Sequence, residues 1–440
     1  MKKYITKYIS VLGLVALLSC DGFLDQKPQK SLLVPSTVED VRALLDNYNF
    51  LMLTPLITWM MSDEWNTSDI DFETFPTWQQ NAYTWQKEIF DPQERSSDYQ
   101  TLHSQMFIAN TALDLIDQLG DQNSPEIATL KGEALVIRAR VLFDLAVLFL
   151  PVPQSGLNDQ IKIPVNLTGD VNAPLTRIGT AELIGLVKEE LEKAFLLLPE
   201  RSPFKTRPDK RVAKGFLARI HLYEQNWEKA LESANYVIQS GDKLLDLSKL
   251  NPSSSYPFEL FNEETLYYQQ MQTSILTIRP STEIAKDLYS SYLSNDRRRA
   301  LFFRLNPTQG ALFKGSYTGG FQLFTGISLS EMYLTAAEAG IRKGDFTIGL
   351  QRLNELGITR YSGFQPWLGM SQEKALELVM GERRKELVFR GLRWMDMKRV
   401  KALSSSFMPS RTIKGQVYKL ENEEQYILNI PPYETELGGR

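Results

Sequence analysis

The sequence predicts a mostly α fold: a degenerate scaffold of helical pairs, interrupted by large loop insertions and carrying few short strands. Three observations predict it. Apolar residues recur at three- and four-residue spacing over most of the chain, the period of a helix with one buried face. A segment around 216–231 has an echo around 335–350. Between them, about residues 246–325, the composition turns to Pro, Ser, Gly and aromatics, as in Asn251-Pro252-Ser253-Ser254-Ser255-Tyr256-Pro257.

In chain order, Pro35-Ser36-Thr37 supplies a start signal for a helix over Val38–Tyr48. Ser104–Leu119 and Glu126–Leu150 form a helix pair joined by the turn chemistry of residues 120–125. In the second of these, Ala134, Ile137, Val141, Leu145 and Leu148 mark a buried stripe, and Pro151-Val152-Pro153 stops it. Thr180–Leu198 and Lys210–Tyr223 make the next pair, followed by Trp227–Gln239. The middle stretch is expected to be long loops with short strands or helices. Helix returns at Leu329–Lys343, Phe346–Leu356 and Ser371–Lys401.

The echo has a physical content. Ala218 and Ala230 are matched by Ala337 and Gly349 at the same separation, and Trp227 and Phe346 each begin a second helix. Small residues at that spacing let two antiparallel helices approach closely across a turn. This is the tetratricopeptide-type pattern, here degenerate and widely spaced. It predicts an interrupted helical-pair scaffold and not a regular solenoid.

The chain begins with the cations Lys2, Lys3 and Lys7, then the apolar run 9–18. That run is short of the roughly 20 residues a spanning helix needs, and it has the form of a secretory signal. It ends in Leu17-Leu18-Ser19-Cys20, which resembles a bacterial lipobox and implies cleavage before Cys20 and acylation of it. Cys20 is the only cysteine, so no disulfide forms within the chain. Asp21 and Asp25, close behind it, resemble the surface-export signals of Bacteroidetes lipoproteins.

Composition excludes several function classes. A net charge of −4 without a large basic block opposes nucleic-acid binding by phosphate neutralisation. The chain has two histidines, His103 and His221, both within helical segments. With Cys20 assigned to lipid, no His/Cys zinc site can be assembled, and no metal or cofactor is expected. Neither a Walker A motif nor GxGxxG is present. The balance favours binding over catalysis, and no catalytic residue is assigned. Chemistry by paired carboxylates leaves no local signature and stays open.

Five segments carry a resemblance to the SusD-like (RagB/SusD) family of Bacteroidetes outer-membrane lipoproteins. Cys20 with Phe23-Leu24-Asp25 resembles the family's start. Residues 212–238 resemble its second helical repeat. Ser330–Ala339 with Lys343-Gly344-Asp345 resembles its "RLAEVYLMYAEA…GD" stretch. Glu382-Arg383-Arg384-Lys385-Glu386-Leu387-Val388-Phe389-Arg390-Gly391-Leu392-Arg393-Trp394-Met395-Asp396-Met397-Lys398-Arg399 resembles its "ERRxELxFEGxRWxDLxR" signature. Residues 426–434 resemble its closing "LPIPxxE" element. Arg390 stands where the family has Glu, and Asn429 and Pro432 alter the closing element.

The resemblance implies a signal peptide over 1–19 and a single domain over 20–440, with its helical scaffold at about 36–245 and 326–401. It implies a surface-exposed, lipid-anchored protein of the outer membrane that binds an oligosaccharide or polysaccharide. Such a protein passes its ligand to a SusC-like TonB-dependent transporter and acts as the lid. A peptide ligand in the same role, or a surface glycoside hydrolase, are the alternatives. Within the signature, Glu386 can pair with Arg390 and Glu382 with Lys385 along one helix face, which predicts a solvated, ion-paired surface.

The candidate ligand contacts come from two regions. Trp59, Asp63, Trp65, Asn66, Asp69, Trp78, Tyr83 and Trp85 lie in a non-periodic stretch near the N-terminus. Aromatic faces there can stack on sugar C–H patches while carboxylates and amides pair with hydroxyls. Tyr256, Tyr292 and Tyr317 come from the second aromatic stretch, which also holds Phe321 and Phe324. The resemblance implies that loops of these two regions build the site.

Overall fold

Thr37 begins the first helix as the spacing predicts, its side chain and that of Asp40 closing a capping box at the start of α1 (Val38–Leu45). The structure is a computed structural model that describes residues 36–120, 124–157, 160–273, 282–307, 310–404 and 406–438. The signal segment, Cys20 and residues 21–35 lie outside the described residues.

The long helices follow in order. Ser96 caps α2 (Ser97–Gln118), which begins earlier than its apolar periodicity suggests because the Ser96 hydroxyl already accepts from the Tyr99 N–H. Then come α3 (Pro125–Phe149) and α4 (Thr180–Leu197). α2 and α4 pack on either side of α3, and α1 lies over α2 and α3. Pro125 sits in the first turn of α3, where its missing N–H costs nothing.

The echo is a continuous array in space. Asp209 caps α5 (Lys210–Tyr223) and Asn226 caps α6 (Trp227–Ile238). After the insertion come α7 (Leu329–Lys343), closed by Gly344 at φ 92°, and α8 (Phe346–Arg360). α6 packs directly on α7, so the insertion leaves the scaffold and rejoins it at the same place. At Gly349 a Cβ would lie 2.9 Å from the Ala337 carbonyl oxygen and 2.6 Å from Ile341, so the close approach forecast for the second pair is real. Ala230 acts differently. It packs with Leu222 and Ala339, which joins the two pairs to each other.

One expectation is corrected. Ser371–Lys401 is not one helix but two, α9 (Gln372–Glu386) and α10 (Arg393–Leu403). Between them Phe389 and Gly391 take φ 59° and 71°, a left-handed backbone that ends helix. The Glu386–Arg390 helical pairing therefore does not form. Glu386 instead accepts from Arg360 at 2.7 and 3.0 Å and from Arg298 at 3.1 Å. Arg390 lies over the Tyr317 ring at 3.9 Å and donates to Ser328. Glu382 and Lys385 are ion-paired as forecast. The cluster is buried and not solvated: Glu382, Arg383, Glu386 and Arg399 are all at most 3 % exposed.

The insertion meets the N-terminal region through short ribbons. Leu53–Thr54 pairs in parallel with Gln270–Met271, and Trp65–Asn66 pairs antiparallel with Glu283–Ile284. Phe303–Asn306 and Gly310–Phe313 form a hairpin. Among the described residues no helix is long and apolar enough to cross a membrane.

Candidate functional site

A cavity of about 230 Å³ opens where these two regions meet. Trp59, from a short helical turn at Ile57–Met60, forms part of its wall. The Trp59 ring stacks on Trp65 at 4.6 Å and meets the edge of Phe389, also a wall residue, at 5.8 Å. Its indole N–H is buried and has no hydrogen-bond partner among the described residues. Tyr256 and Phe321 lie at the rim, 44 and 45 % exposed, and offer ring faces.

The hairpin supplies the rest. Arg304 stands opposite Leu312, and Lys314 follows two residues later, with its N–H donating to the Phe302 carbonyl. Cross-strand partners share a face, and so do residues two apart in a strand. Arg304 and Lys314 thus share one side of the ribbon, and both line the cavity. The Lys314 ammonium donates to the carbonyls of Pro252 and Ser254, which braces the loop that carries Ser255 and Tyr256. Partial burial, and then the charge of Arg304, lower the Lys314 pKa. Ser255, Thr282 and Ser316 add hydroxyls.

Of the residues singled out from sequence, Trp59 and Tyr256 reach this cavity. The others are placed elsewhere. Asp63 accepts from Arg393 at 2.6 and 2.7 Å; burial opposes its charge, but Arg393 and Arg384 hold its carboxyl well below the usual range. Trp65 is 1 % exposed, and its indole donates to the Trp59 carbonyl. Asn66 is paired with Glu283 in the ribbon, and Asp69 accepts from the backbone of Lys414. Trp78 is half-buried against Phe90, Tyr83 lies under the Arg411 guanidinium at 4.0 Å, and Trp85 donates to the Met61 carbonyl. Tyr292 donates to the Lys385 carbonyl, and Tyr317 to Glu264. Trp65, Tyr83, Trp85, Tyr292 and Tyr317 are therefore buried supports of the site and not free stacking faces. The reason is that each aromatic found a core partner that no local pattern encodes.

Arg304, Lys314, Leu312, Phe313 and Phe389 were not singled out as contacts from sequence. A signal exists for the first two: cations alternating with apolar residues on both arms of a hairpin. Phe389 has none, because its place on the wall depends on the break between α9 and α10.

Beneath the wall, Glu64 is buried, and one carboxyl oxygen accepts from the Phe389 N–H at 3.2 Å. Burial pushes its pKa up to about 8, against the opposing charge of Arg393. His103 and His221 lie on α2 and α5, far apart in sequence, as ordinary helix residues. Among the described residues no group of three or more His, Cys, Asp or Glu could hold a metal ion.

Residues 22–222 match a family model described as SusD-like, "Starch-binding associating with outer membrane", and residues 316–436 match one described as "SusD family". Comparison with curated proteins finds no match. Among solved structures, a SusD superfamily protein from Bacteroides thetaiotaomicron VPI-5482 superposes with a TM-score of 0.76 at 19 % identity, covering 91 % of this chain and 97 % of that one. A SusD-like carbohydrate binding protein from Bacteroides vulgatus ATCC 8482 gives 0.68 at 17 %, over 92 and 97 %. Another of that description, from Bacteroides fragilis NCTC 9343, gives 0.69 at 15 %, over 91 and 98 %. At these identities the likeness is one of fold.

Proposed function

The chain belongs to the SusD family, and on that premise we propose that it is a surface-exposed binding protein that captures a saccharide at the outer membrane. The proposal includes three further parts. A lipid on Cys20 anchors the chain. A SusC-like TonB-dependent transporter receives the ligand. The helical scaffold packs on that transporter, so that the protein works as its lid.

One observation carries the binding role. In a member of this family, Trp59 from the N-terminal region and Tyr256 and Phe321 from the insertion surround one cavity. The exposed ring faces of Tyr256 and Phe321 gain dispersion and hydrophobic contact from sugar C–H patches, Trp59 backs the wall, and the polar wall groups fix the hydroxyls. The cavity volume of about 230 Å³ falls below the roughly 300 Å³ at which ligand pockets begin. It suits a short stretch of a longer chain better than an enclosed substrate. Binding of this kind needs no covalent step.

Calorimetry of the protein against a panel of polysaccharides and oligopeptides tests this. Saccharide binding that weakens in Tyr256→Ala supports it. Binding of oligopeptides and no saccharide transfers the same role to a peptide ligand. Turnover of a bound polysaccharide, abolished by one Asp or Glu substitution, replaces the proposal with a hydrolase.

A further inference from the structure

We infer that the cavity selects saccharides carrying an anionic group, a carboxylate or a sulfate, in preference to neutral ones; the inference rests on the saccharide-binding function proposed above. A neutral sugar hydroxyl both donates and accepts. A site built for it mixes acceptors with donors, and Asp, Glu, Asn and Gln are the side chains that accept strongly. Among the described residues none of these lines the cavity. Two acids near Trp59 in sequence are held elsewhere: Asp63 by Arg393 and Asp69 by the Lys414 backbone.

What the wall holds instead is a set of donors. Arg304 and Lys314 have donors and no acceptor. Two Lys314 donors engage the Pro252 and Ser254 carbonyls, so its charge is fixed in place beside the cavity without being neutralised by a carboxylate. The Trp59 indole N–H, without a partner among the described residues, is buried and stands outside this set of donors. The Ser255 and Ser316 hydroxyls can each donate. An acceptor-only group satisfies such a set, and a guanidinium takes a carboxylate or sulfate through two parallel hydrogen bonds. The positive character is local, since the whole chain carries −4.

Arg304 and Lys314 also lie apart in sequence and are brought to one side by the hairpin register. Tyr256 and Phe321, at the rim, would hold the sugar ring while the cations hold its charged substituent.

The test compares matched ligands by calorimetry: an oligogalacturonide with its methyl-esterified form, and a sulfated oligogalactan with its unsulfated form. The expected result is tighter binding of at least one anionic member, by on the order of tenfold over its neutral counterpart. That preference should shrink as salt rises. It should vanish in Arg304→Gln and reverse toward the neutral ligand in Arg304→Glu. Arg304 is exposed, so both variants are expected to fold, which circular dichroism checks. Whichever pair shows the preference identifies the anionic group. Equal affinity within both pairs overturns the inference and leaves the saccharide-binding function standing. Absence of binding to every saccharide, anionic and neutral, overturns both.

Discussion

Arg399 and Glu338 meet as a bidentate pair, Nη1 on Oε1 at 2.6 Å and Nη2 on Oε2 at 2.7 Å, with neither side chain exposed to solvent. The contact ties α10, within the signature segment, to α7, the first helix of the echo. Arg342 adds a second guanidinium at 2.8 Å, and Asp396 accepts from the Arg399 Nε. Charged residues of the signature thus lock the scaffold from inside.

Glu338→Gln is expected to cost about 3 kcal/mol, because it leaves the buried Arg399 and its neighbour Arg342 one carboxylate short, with only Asp396 still accepting from Arg399. Chemical denaturation measures this. Burial opposes the Glu338 charge, but Arg399 and then Arg342 hold its pKa down to about 2. The folded value is below the unfolded one, so its stabilisation is present above about pH 4.5 and is lost as pH falls toward 2. The variant should lose less stability than the parent across that window.

Glu64 has the opposite sign. Burial raises its pKa from 4.5 to about 8, so the folded state resists its ionisation. The unfolded chain ionises first as pH rises, and stability falls between those two values. Glu64→Gln keeps an acceptor for the Phe389 N–H. It should remove that slope and be the more stable protein at pH 8.5 or above. Thermal melts of both proteins over a pH series decide it; parallel curves would show that Glu64 ionises normally in the folded state.

Tyr256→Ala and Trp65→Ala separate contact from support. Tyr256 is 44 % exposed at the rim, and its loss should weaken saccharide binding about fivefold or more with little change in melting temperature. Trp65 is 1 % exposed and stacked on Trp59, so its loss should cost about 3–5 kcal/mol of stability. A Trp65→Ala protein that melts like the parent would contradict its placement in the core.

Two glycines in helices should respond in opposite directions. A Cβ at Gly349 meets the Ala337 carbonyl oxygen at 2.9 Å, so Gly349→Val should destabilise by about 1–3 kcal/mol. A Cβ at Gly185 meets nothing within 4 Å, so Gly185→Ala should stabilise by up to about 1 kcal/mol. Equilibrium unfolding of the pair measures both.

Cys20→Ala addresses the anchor. The variant is expected in the soluble fraction with its saccharide affinity unchanged. Retention on the membrane in cells that lack the transporter would exclude lipid on Cys20 as the anchor.

Helix positions were legible because they depend on local period and caps. Lys210–Tyr223 and Leu329–Lys343 have the bounds that spacing predicts, with Asp209 and Ser328 as caps. The break at Phe389 and Gly391 was not legible. Residues 371–401 keep a helix-like composition, and the chain leaves helix at the left-handed Phe389 and Gly391 while Glu386 is held by Arg360 and Arg298 from other elements. Its charged face looked solvated for the same reason: a Glu or Arg in sequence does not reveal whether a partner waits in the interior.

The sequence by itself determined the helical-pair scaffold and the family, since periodicity and motif are properties of neighbours along the chain, and it marked out two aromatic regions that meet at one cavity. Only the tertiary structure decided which aromatics face the cavity. Tyr256 reaches it exposed at the rim and Trp59 lines it from the core, while Trp65, Tyr83, Trp85, Tyr292 and Tyr317 are spent on the core. It also decided the charge of the cavity, by drawing Asp63 away to Arg393 and setting Arg304 and Lys314 on one side of a hairpin. Burial and electrostatic partnership depend on residues distant in sequence, and the pairing of Trp65–Asn66 with Glu283–Ile284 exists only once the insertion has folded back on the N-terminal region.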